Sequence, residues 1–397
     1  MGDLGTSCAA DTLLSRTPSL MRVLHCYRTY FPDTQGGGEE AIRQIVLSTQ
    51  AEGISNTIFA LSPRPDPATI HRDEGTVERS LSWAAPASCD LGTVNAFRHF
   101  RRLARAADVV HYHFPWPFAD LLHKFAGVDS RPAVMTYHSD VVRQRWIGLA
   151  YRPLMRSMLR AMNAVVATSA AYARTSSVLR DLVPPSRLKV IPLGLFERSY
   201  DQAREESRAI SLSERFGLST NGYFLSLGVL RYYKGLHVLI EAARRVDFPI
   251  VMAGDGPTRK VLEEAASDLP PGRVHFLGRV SDPEKMALIA GCRAFVLPSH
   301  LRSEAFGMVL LEAALLGRPM ISCEIGTGTT YVNVHEDTGL VVAPENPSML
   351  AAALQHMIVD EAFVSACGQR ARARYERLFS GPALGSAYSV LYRSVLT

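Results

Sequence analysis

The sequence predicts an α/β chain built as two doubly wound, Rossmann-like halves facing a central cleft. Strand-like and helix-like segments alternate twice along the chain, the rhythm of parallel sheets covered on both faces. A polar, charged stretch without a strand separates the two alternations near 195–215. The 397 residues also exceed the size at which a single core keeps growing. In such sheets ligands bind beyond the carboxyl ends of the strands, so the space between two of them is the expected site.

Charged residues at 20% and apolar ones at 47% describe an ordinary globular chain. No run approaches the roughly 18–20 apolar residues of a membrane span, and no signal-peptide stretch is present. Six cysteines, at 8, 26, 89, 292, 323 and 367, show no metal-ligand spacing, which fits buried thiols in a reducing cytoplasm. Residues 1–20 are polar and small, without periodicity, and are expected to be a disordered tail or an over-long start before Met21. They open with Met1-Gly2-Asp3-Leu4-Gly5-Thr6, a short myristoylation pattern that arises often by chance.

The net charge of +5 is unevenly placed: residues 95–160 hold eleven Lys and Arg against four Asp and no Glu. Phe97, Phe100, Trp116, Phe118, Trp146 and Tyr151 are interleaved with them. The mixture suits an anionic membrane face or a phosphorylated acceptor, or else a plain solvated face. It is too modest and too local for a nucleic-acid binder.

In order, Arg22 to Tyr27 reads as a buried strand and Glu39 to Gln50 as a helix with Ile42, Ile45, Val46 and Thr49 on one stripe. The Gln35-Gly36-Gly37-Gly38-Glu39 loop between them brings backbone amides up to an anion, or is a flexible turn. It is not the Gly-x-Gly-x-x-Gly of dinucleotide oxidoreductases. Strands follow at 54–61, 108–113, 133–138, 163–168 and 188–192, with helices at 93–106, 117–126, 153–161 and 170–181. The second alternation has strands at 223–227, 249–253, 273–277, 293–297, 319–323 and 339–342. Its helices fall at 234–246, 256–268, 282–290, 306–316 and 347–359. A helical tail, 361–395, has no strand after it and must pack as a closing element.

The segment from Ser303 to Pro319 carries the most chemistry. Glu304 falls in the loop before a helix and Glu312 on its buried side two turns in, with only Gly and apolar residues between them. An ionised carboxylate among Leu and Val is costly unless a ligand or cation pairs with it. The helix start at Phe306-Gly307-Met308 offers free amides that Gly307 lets an anion approach. Together these suit a nucleotide sugar: ribose for Glu312, diphosphate for the amides, sugar hydroxyls for Glu304. The alternative is a helix with one capping and one salt-bridged Glu. Arg231 and Lys234, after the first strand of the second half, can grip phosphate or form an exposed basic turn. Gly254-Asp255-Gly256-Pro257 is a strand-to-helix turn whose glycines serve packing. His138 ends a strand and points toward the cleft. His111 and His113 beside Asp108 raise a metal only weakly, and no Asp-x-Asp pair is present to hold a divalent ion on a diphosphate.

These residues together resemble the retaining glycosyltransferases of family four, with the GT-B fold. The resemblance rests on Glu304 and Glu312 with Phe306-Gly307 between them, Gly228-Val229-Leu230-Arg231-Tyr232-Tyr233-Lys234-Gly235, Gly254-Asp255-Gly256, the early glycine loop and His138. It runs from Met21 to the C-terminus. Tyr137-His138-Ser139-Asp140-Val141-Val142-Arg143-Gln144, Arg302 to Gly307 and Ile321 to Thr329 narrow it to bacterial polysaccharide mannosyl- and rhamnosyltransferases.

The resemblance implies an acceptor-binding domain over 21–200, a nucleotide-sugar-binding domain over 201–375 and a C-terminal helix, 376–397, packing back on the first domain. It implies Glu312 on ribose, Glu304 on the donor sugar, and the amides from Phe306 through Gly307 and Met308 to Val309 on diphosphate and sugar. Lys234 balances the departing phosphates, Gly254 lines the donor side, Gly37 and Gly38 admit the reacting centre, and His138 contacts the transferred sugar. The family places Arg where this chain has Val229, so either Arg231 supplies that charge or the donor site is weakened. The implied activity is metal-independent and needs no cofactor: a hexose passes from a GDP-sugar to a lipid-linked glycan at the cytoplasmic, anionic face of the inner membrane. The rivals are a UDP-sugar donor, a phosphorylase or epimerase of the same plan, and an inactive glycan-binding subunit.

Overall fold

The computed structural model describes residues 20–86, 89–128, 130–140 and 145–397, with the backbone alone for 145–150. The expected tail and its myristoylation pattern, Cys8, the 141–144 part of the quoted motif and the Trp146 side chain lie outside the described residues.

The first sheet runs β3-β4-β2-β1-β6-β7-β8-β9, with β5 against β4. Its strands are β1 (Arg22–Cys26), β2 (Ser55–Ser62), β3 (Thr69–Arg72), β4 (Gly75–Ala84), β5 (Leu91–Gly92), β6 (Val109–Phe114), β7 (Ala133–Tyr137), β8 (Ala164–Ala167) and β9 (Leu188–Val190). The second runs β12-β11-β10-β13-β14-β15, from β10 (Phe224–Leu227), β11 (Ile250–Ala253), β12 (Val274–Gly278), β13 (Ala294–Leu297), β14 (Met320–Cys323) and β15 (Gly339–Val342). All pairings are parallel except those of β3 and β5 with β4. β6, β7, β8, β11, β13 and β14 are buried end to end, which is why they read as apolar runs without alternation. Strand order reverses beside the first strand of each sheet, between β1 and β6 and between β10 and β13. Each reversal opens a crevice at the carboxyl ends of the strands.

The edge β3-β4-β5 was not anticipated. Pro63, Pro65 and Pro67 punctuate its approach, and β4 buries Arg79, a residue that reads as surface. Asp33 at 3.1 Å and the Pro67 carbonyl satisfy that guanidinium. The helix expected over 170–181 is two, Ala170–Thr175 and Ser177–Leu182, because the Ser176 hydroxyl accepts from the Leu179 amide and starts a new helix. The helix expected over 306–316 spans Met308–Leu315, and the one over 234–246 spans Leu236–Ala243 after a short 3₁₀ turn, Tyr232–Lys234. The five cysteines among the described residues are free.

The C-terminal tail is two helices. Glu361–Leu378 packs on Met308–Leu315, whereas Gly381–Ser394 packs on Gly37–Gln50 so closely that a Cβ on Gly385 would lie 2.3 Å from the Ser48 carbonyl oxygen. The chain returns to the first sheet at Phe379–Ser380. There the Leu195 amide, on the outward crossing, donates to the Phe379 carbonyl at 2.8 Å. The Tyr375 hydroxyl donates to the Leu195 carbonyl at 2.9 Å.

The returning helix seals a polar face of the first sheet. His25 on β1 pairs in register with His111 on β6, and His113 two residues on shares that face. Tyr392 reaches His111 at 2.7 Å and Tyr388 reaches Thr136 on β7 at 2.8 Å. Burial keeps these rings neutral: His25 and His138 titrate at about 4, and His111 and His113 are also lowered. Between the ordinary value of 6.5 and about 4 the unfolded chain takes up protons that the native chain refuses, so stability is full above 6.5 and falls toward pH 4. Asp120, pushed up to about 7 by burial, opposes this with a single proton. The cost is on the order of 3 kcal/mol for each of His25 and His138 at pH 4. Urea midpoints should therefore drop from pH 7 to pH 5; an unchanged midpoint would contradict neutral buried rings.

Candidate active site

The second reversal, between β10 and β13, gathers the charged residues. Gly235 follows the 3₁₀ turn with φ +68°, and a Cβ there would lie 2.0 Å from the Pro298 carbonyl oxygen after β13. Only glycine lets the two loops touch. That contact sets Lys234 against Glu304, its ammonium donating to Oε2, while the Ser299 hydroxyl donates to the same oxygen at 3.3 Å. Burial works against the Lys234 charge, but the Glu304 carboxylate prevails and raises its pKa. Gly254, after β11, crosses directly over the Gly228 carbonyl, so the turns after β10 and β11 form one wall. Arg231 is exposed on that wall, without an ion pair among the described residues, and Val229 is 43% exposed beside it.

Helix Met308–Leu315 starts from Gly307 in the left-handed region, and no side chain caps it. Its first amides at Met308 and Val309 therefore remain open to an anion. Phe306 is buried and packs edge-on to Phe379, so its side chain belongs to the core and only its backbone can serve a ligand. Glu312 is 6% exposed. It accepts from Lys285 Nζ at 2.9 Å and from the Tyr200 hydroxyl at 3.3 Å. Tyr200 also lies 3.4 Å from Glu40 of the first domain, whose pKa is raised by burial and by the Glu312 charge. Lys285 is held charged against burial by Glu312 and Asp282. The two carboxylates are thus a matched set, each buried and each with its own lysine.

Sequence reasoning missed Lys285 and Tyr200. The Ser281–Glu284 capping box that starts the Lys285 helix was visible as a pattern, but nothing in it indicates Glu312, 27 residues away.

In the first domain the glycine loop is the start of helix Gly37–Gln50. Gly37 faces open space, whereas a Cβ on Gly38 would meet the Tyr27 hydroxyl at 2.8 Å. His138 follows β7 and lies 2.9 Å through Nε2 from His113 Nδ1. Ring nitrogens of His25, His111 and His113 come within 4.8 Å of one another, a spacing compatible with metal ligation. Yet His25 bonds His113 and Asn56, His111 bonds Tyr392 and Thr136, and His113 bonds His25 and His138. Every ring nitrogen in the trio is already engaged, and Asp108 is taken by Arg22. The trio is a hydrogen-bonded set.

The two domains meet on both sides of the cleft. On one side stand Glu40, Tyr200, Glu312 and Lys285. On the other, Arg302 pairs with Asp140 at 3.2 Å, donates to Thr175 and the Gly326 carbonyl at 2.8 Å each, and lies over the Tyr172 ring.

Two Rossmann-like domains, each with a strand-order reversal and the second with charged residues gathered at it, make up the GT-B fold. The family model described as Glycosyltransferase Family 4 matches residues 35–195, and that described as Glycosyl transferases group 1 matches residues 212–374. The chain belongs to glycosyltransferase family four. It is 44% identical over 360 residues to the D-rhamnosyltransferase WbpZ of Pseudomonas aeruginosa, covering 91% of this chain and 92% of that protein. It is 36% identical to O-antigen chain mannosyltransferase C of Escherichia coli, over 95% of this chain and 99% of that one. Among solved structures, Anabaena HepE in complex with UDP and glucose superposes with a TM-score of 0.76 at 19% identity, over 94% of this chain and 100% of that one. No single helix among the described residues is long and apolar enough to cross a membrane.

Lys285→Met leaves Glu312 buried without a cation and should destabilise the chain by on the order of 3 kcal/mol in urea unfolding. Adding Glu312→Gln should restore most of that loss. A double variant as unstable as the single one would mean that the pair is not coupled.

Proposed function

We propose that the chain transfers mannose or rhamnose, with retention and without a metal, from a GDP-sugar to a lipid-linked glycan during synthesis of a bacterial surface polysaccharide of the O-antigen type. The observation that carries this reading is the arrangement of Lys234–Glu304 and Lys285–Glu312 around the uncapped helix start at Gly307. A sugar diphosphate needs cations and amides for its phosphates and carboxylates for its hydroxyls, and the segment from Glu304 to Glu312 with its two lysines offers both. Glu312 takes the ribose, Glu304 the donor sugar, and Met308 and Val309 the diphosphate through their amides. Lys234, with Arg231 beside it, balances the leaving group. The rhamnosyl- and mannosyltransferase relatives support the choice of sugar.

Catalysis on this reading is electrostatic. The bond from the anomeric carbon to phosphate breaks, the acceptor oxygen attacks the same face, and the departing phosphate oxygen takes the acceptor proton. Groups that hold the diphosphate more strongly as its charge grows lower the barrier. Closure of the two domains keeps water from the donor. Because HepE is described with UDP and glucose, a UDP-sugar is the second reading of the donor. Calorimetric titration of GDP and UDP without metal, on the intact chain and on Glu312→Ala, separates the cases. GDP binding abolished by the substitution is the expected result. UDP binding alone changes the donor, and binding of neither favours an inactive subunit.

The acceptor would be met at the anionic cytoplasmic face of a membrane. Helix Val94–Ala106 buries only Ala96, Phe100 and Ala104, leaving Arg98, Arg101, Arg102 and Arg105 exposed. Val94 is 70% exposed and Trp83 65%. An Arg row beside exposed apolar side chains suits an anionic lipid surface. Replacing the four Arg by Gln should lower sedimentation with phosphatidylglycerol vesicles at least tenfold, by about 1 kcal/mol per basic residue. Sedimentation independent of anionic lipid would remove the membrane role.

A further inference from the structure

The buried histidines carry a consequence for His138 that does not depend on knowing the donor. The Asn56 side chain has its orientation fixed by its surroundings. Its Nδ2 lies 3.2 Å from the Val46 carbonyl oxygen and 3.3 Å from that of Ile54. Both are backbone acceptors, so the atom facing them must be the amide nitrogen, and the other, Oδ1, faces His25 Nε2 at 3.1 Å. An amide oxygen only accepts, so His25 carries its proton on Nε2.

The rest follows ring by ring. His25 is neutral, so its Nδ1 is a bare acceptor, and His113 Nε2 at 3.1 Å must donate to it. Neutral His113 is then bare at Nδ1, and His138 Nε2 at 2.9 Å must donate to that atom. His138 in turn is left bare at Nδ1, which has no partner among the described residues. Parallel stacking of His25 on His113 and of His113 on His138, with ring centres 5.4 and 5.2 Å apart, keeps the three rings in line.

We propose that Asn56 is a positioning residue that, through His25 and His113, locks His138 as the Nε2–H tautomer, so that His138 offers the cleft a hydrogen-bond acceptor at Nδ1 and no proton. On the reading of function above, on which this last step rests, the group that Nδ1 accepts from is a hydroxyl of the transferred sugar. His138 then orients the sugar and does not act as a general acid. Tyr388 and Tyr392, by holding His111 and Thr136 on the same face, keep water from the chain of rings and from offering any of them an alternative partner.

The test is tautomer assignment in the full chain carrying ¹⁵N-histidine, from long-range proton–nitrogen correlations at neutral pH without substrate. His25, His113 and His138 should all show protonated Nε2 and bare Nδ1; a protonated Nδ1 on His138 overturns the proposal. Asn56→Leu keeps the side-chain shape but removes the acceptor that holds the proton on His25 Nε2. His25, His113 and His138 should then no longer be purely Nε2–H and should each show a protonated Nδ1 population. His113→Phe keeps a ring in the stack but cuts the chain, and His138 should then show both tautomers. An unchanged His138 pattern in either folded variant refutes the lock. If neither folds, the native spectrum decides alone. His113→Phe should also lower kcat about twofold, in proportion to the fraction of His138 that loses the Nε2–H tautomer, with nucleotide binding unaltered. Absence of GDP and UDP binding would overturn the donor reading while leaving the tautomer result standing.

Discussion

A carboxylate cannot stay ionised in an apolar interior without a cation beside it, and the second domain is arranged around meeting that requirement twice. Glu304 and Glu312 straddle the start of helix Met308–Leu315 after β13. Lys234 comes to Glu304 from the turn after β10, and Lys285 comes to Glu312 from the helix after β12. The pairs therefore tie three separate strand-to-helix units to one point at the reversal of strand order. On the proposed function they also leave the site loaded: an incoming diphosphate would compete with Glu304 for the Lys234 ammonium and free that carboxylate for hydroxyls.

The relation between domains depends on a different device. The chain crosses from the first sheet to the second around Leu195 and returns at Phe379, and the two crossings are bonded to each other. On either side of them the cleft is bridged by polar groups, Glu40 through Tyr200 to Glu312 and Arg302 to Asp140, while one apolar cluster at the crossings joins Val23 and Ile45 of the first domain to Leu195, Phe306 and Phe379. Polar bridges can break and re-form at modest cost, which on the proposed function suits two domains that open for substrate and close around it. The returning helix is the exception: it packs into the first domain and covers the histidine face, so the polar interior of that sheet exists only because the last element of the chain comes back to it.

Much of the plan was legible in advance. Buried parallel strands announce themselves as short apolar runs, and Gly, Pro and Ser mark the turns between them. Hence the strands of both central sheets and most of the helices follow from local pattern alone. Where that pattern failed, the reason was a satisfied polar group. Arg79 made a buried strand look like surface, and Ser176 divided one helix into two through a cap that resembles any other serine. The candidate site was legible where its residues are close in sequence, as in Glu304, Gly307 and Glu312, or at a strand end, as in Lys234 and His138. It was not legible where a partner comes from elsewhere. Lys285, Tyr200 and Asn56 carry no local signal.

By itself the sequence determined the two α/β halves, the motifs at their strand ends and the family, because these depend on periodicity and on residues a few positions apart. Tertiary structure decided which lysine meets which carboxylate, how the C-terminal helices divide between the domains, and which nitrogen of His138 bears the proton. Each of those depends on groups brought together from distant parts of the chain. A hydrogen bond between them exists only when both ends have been placed, and no local pattern records the second end.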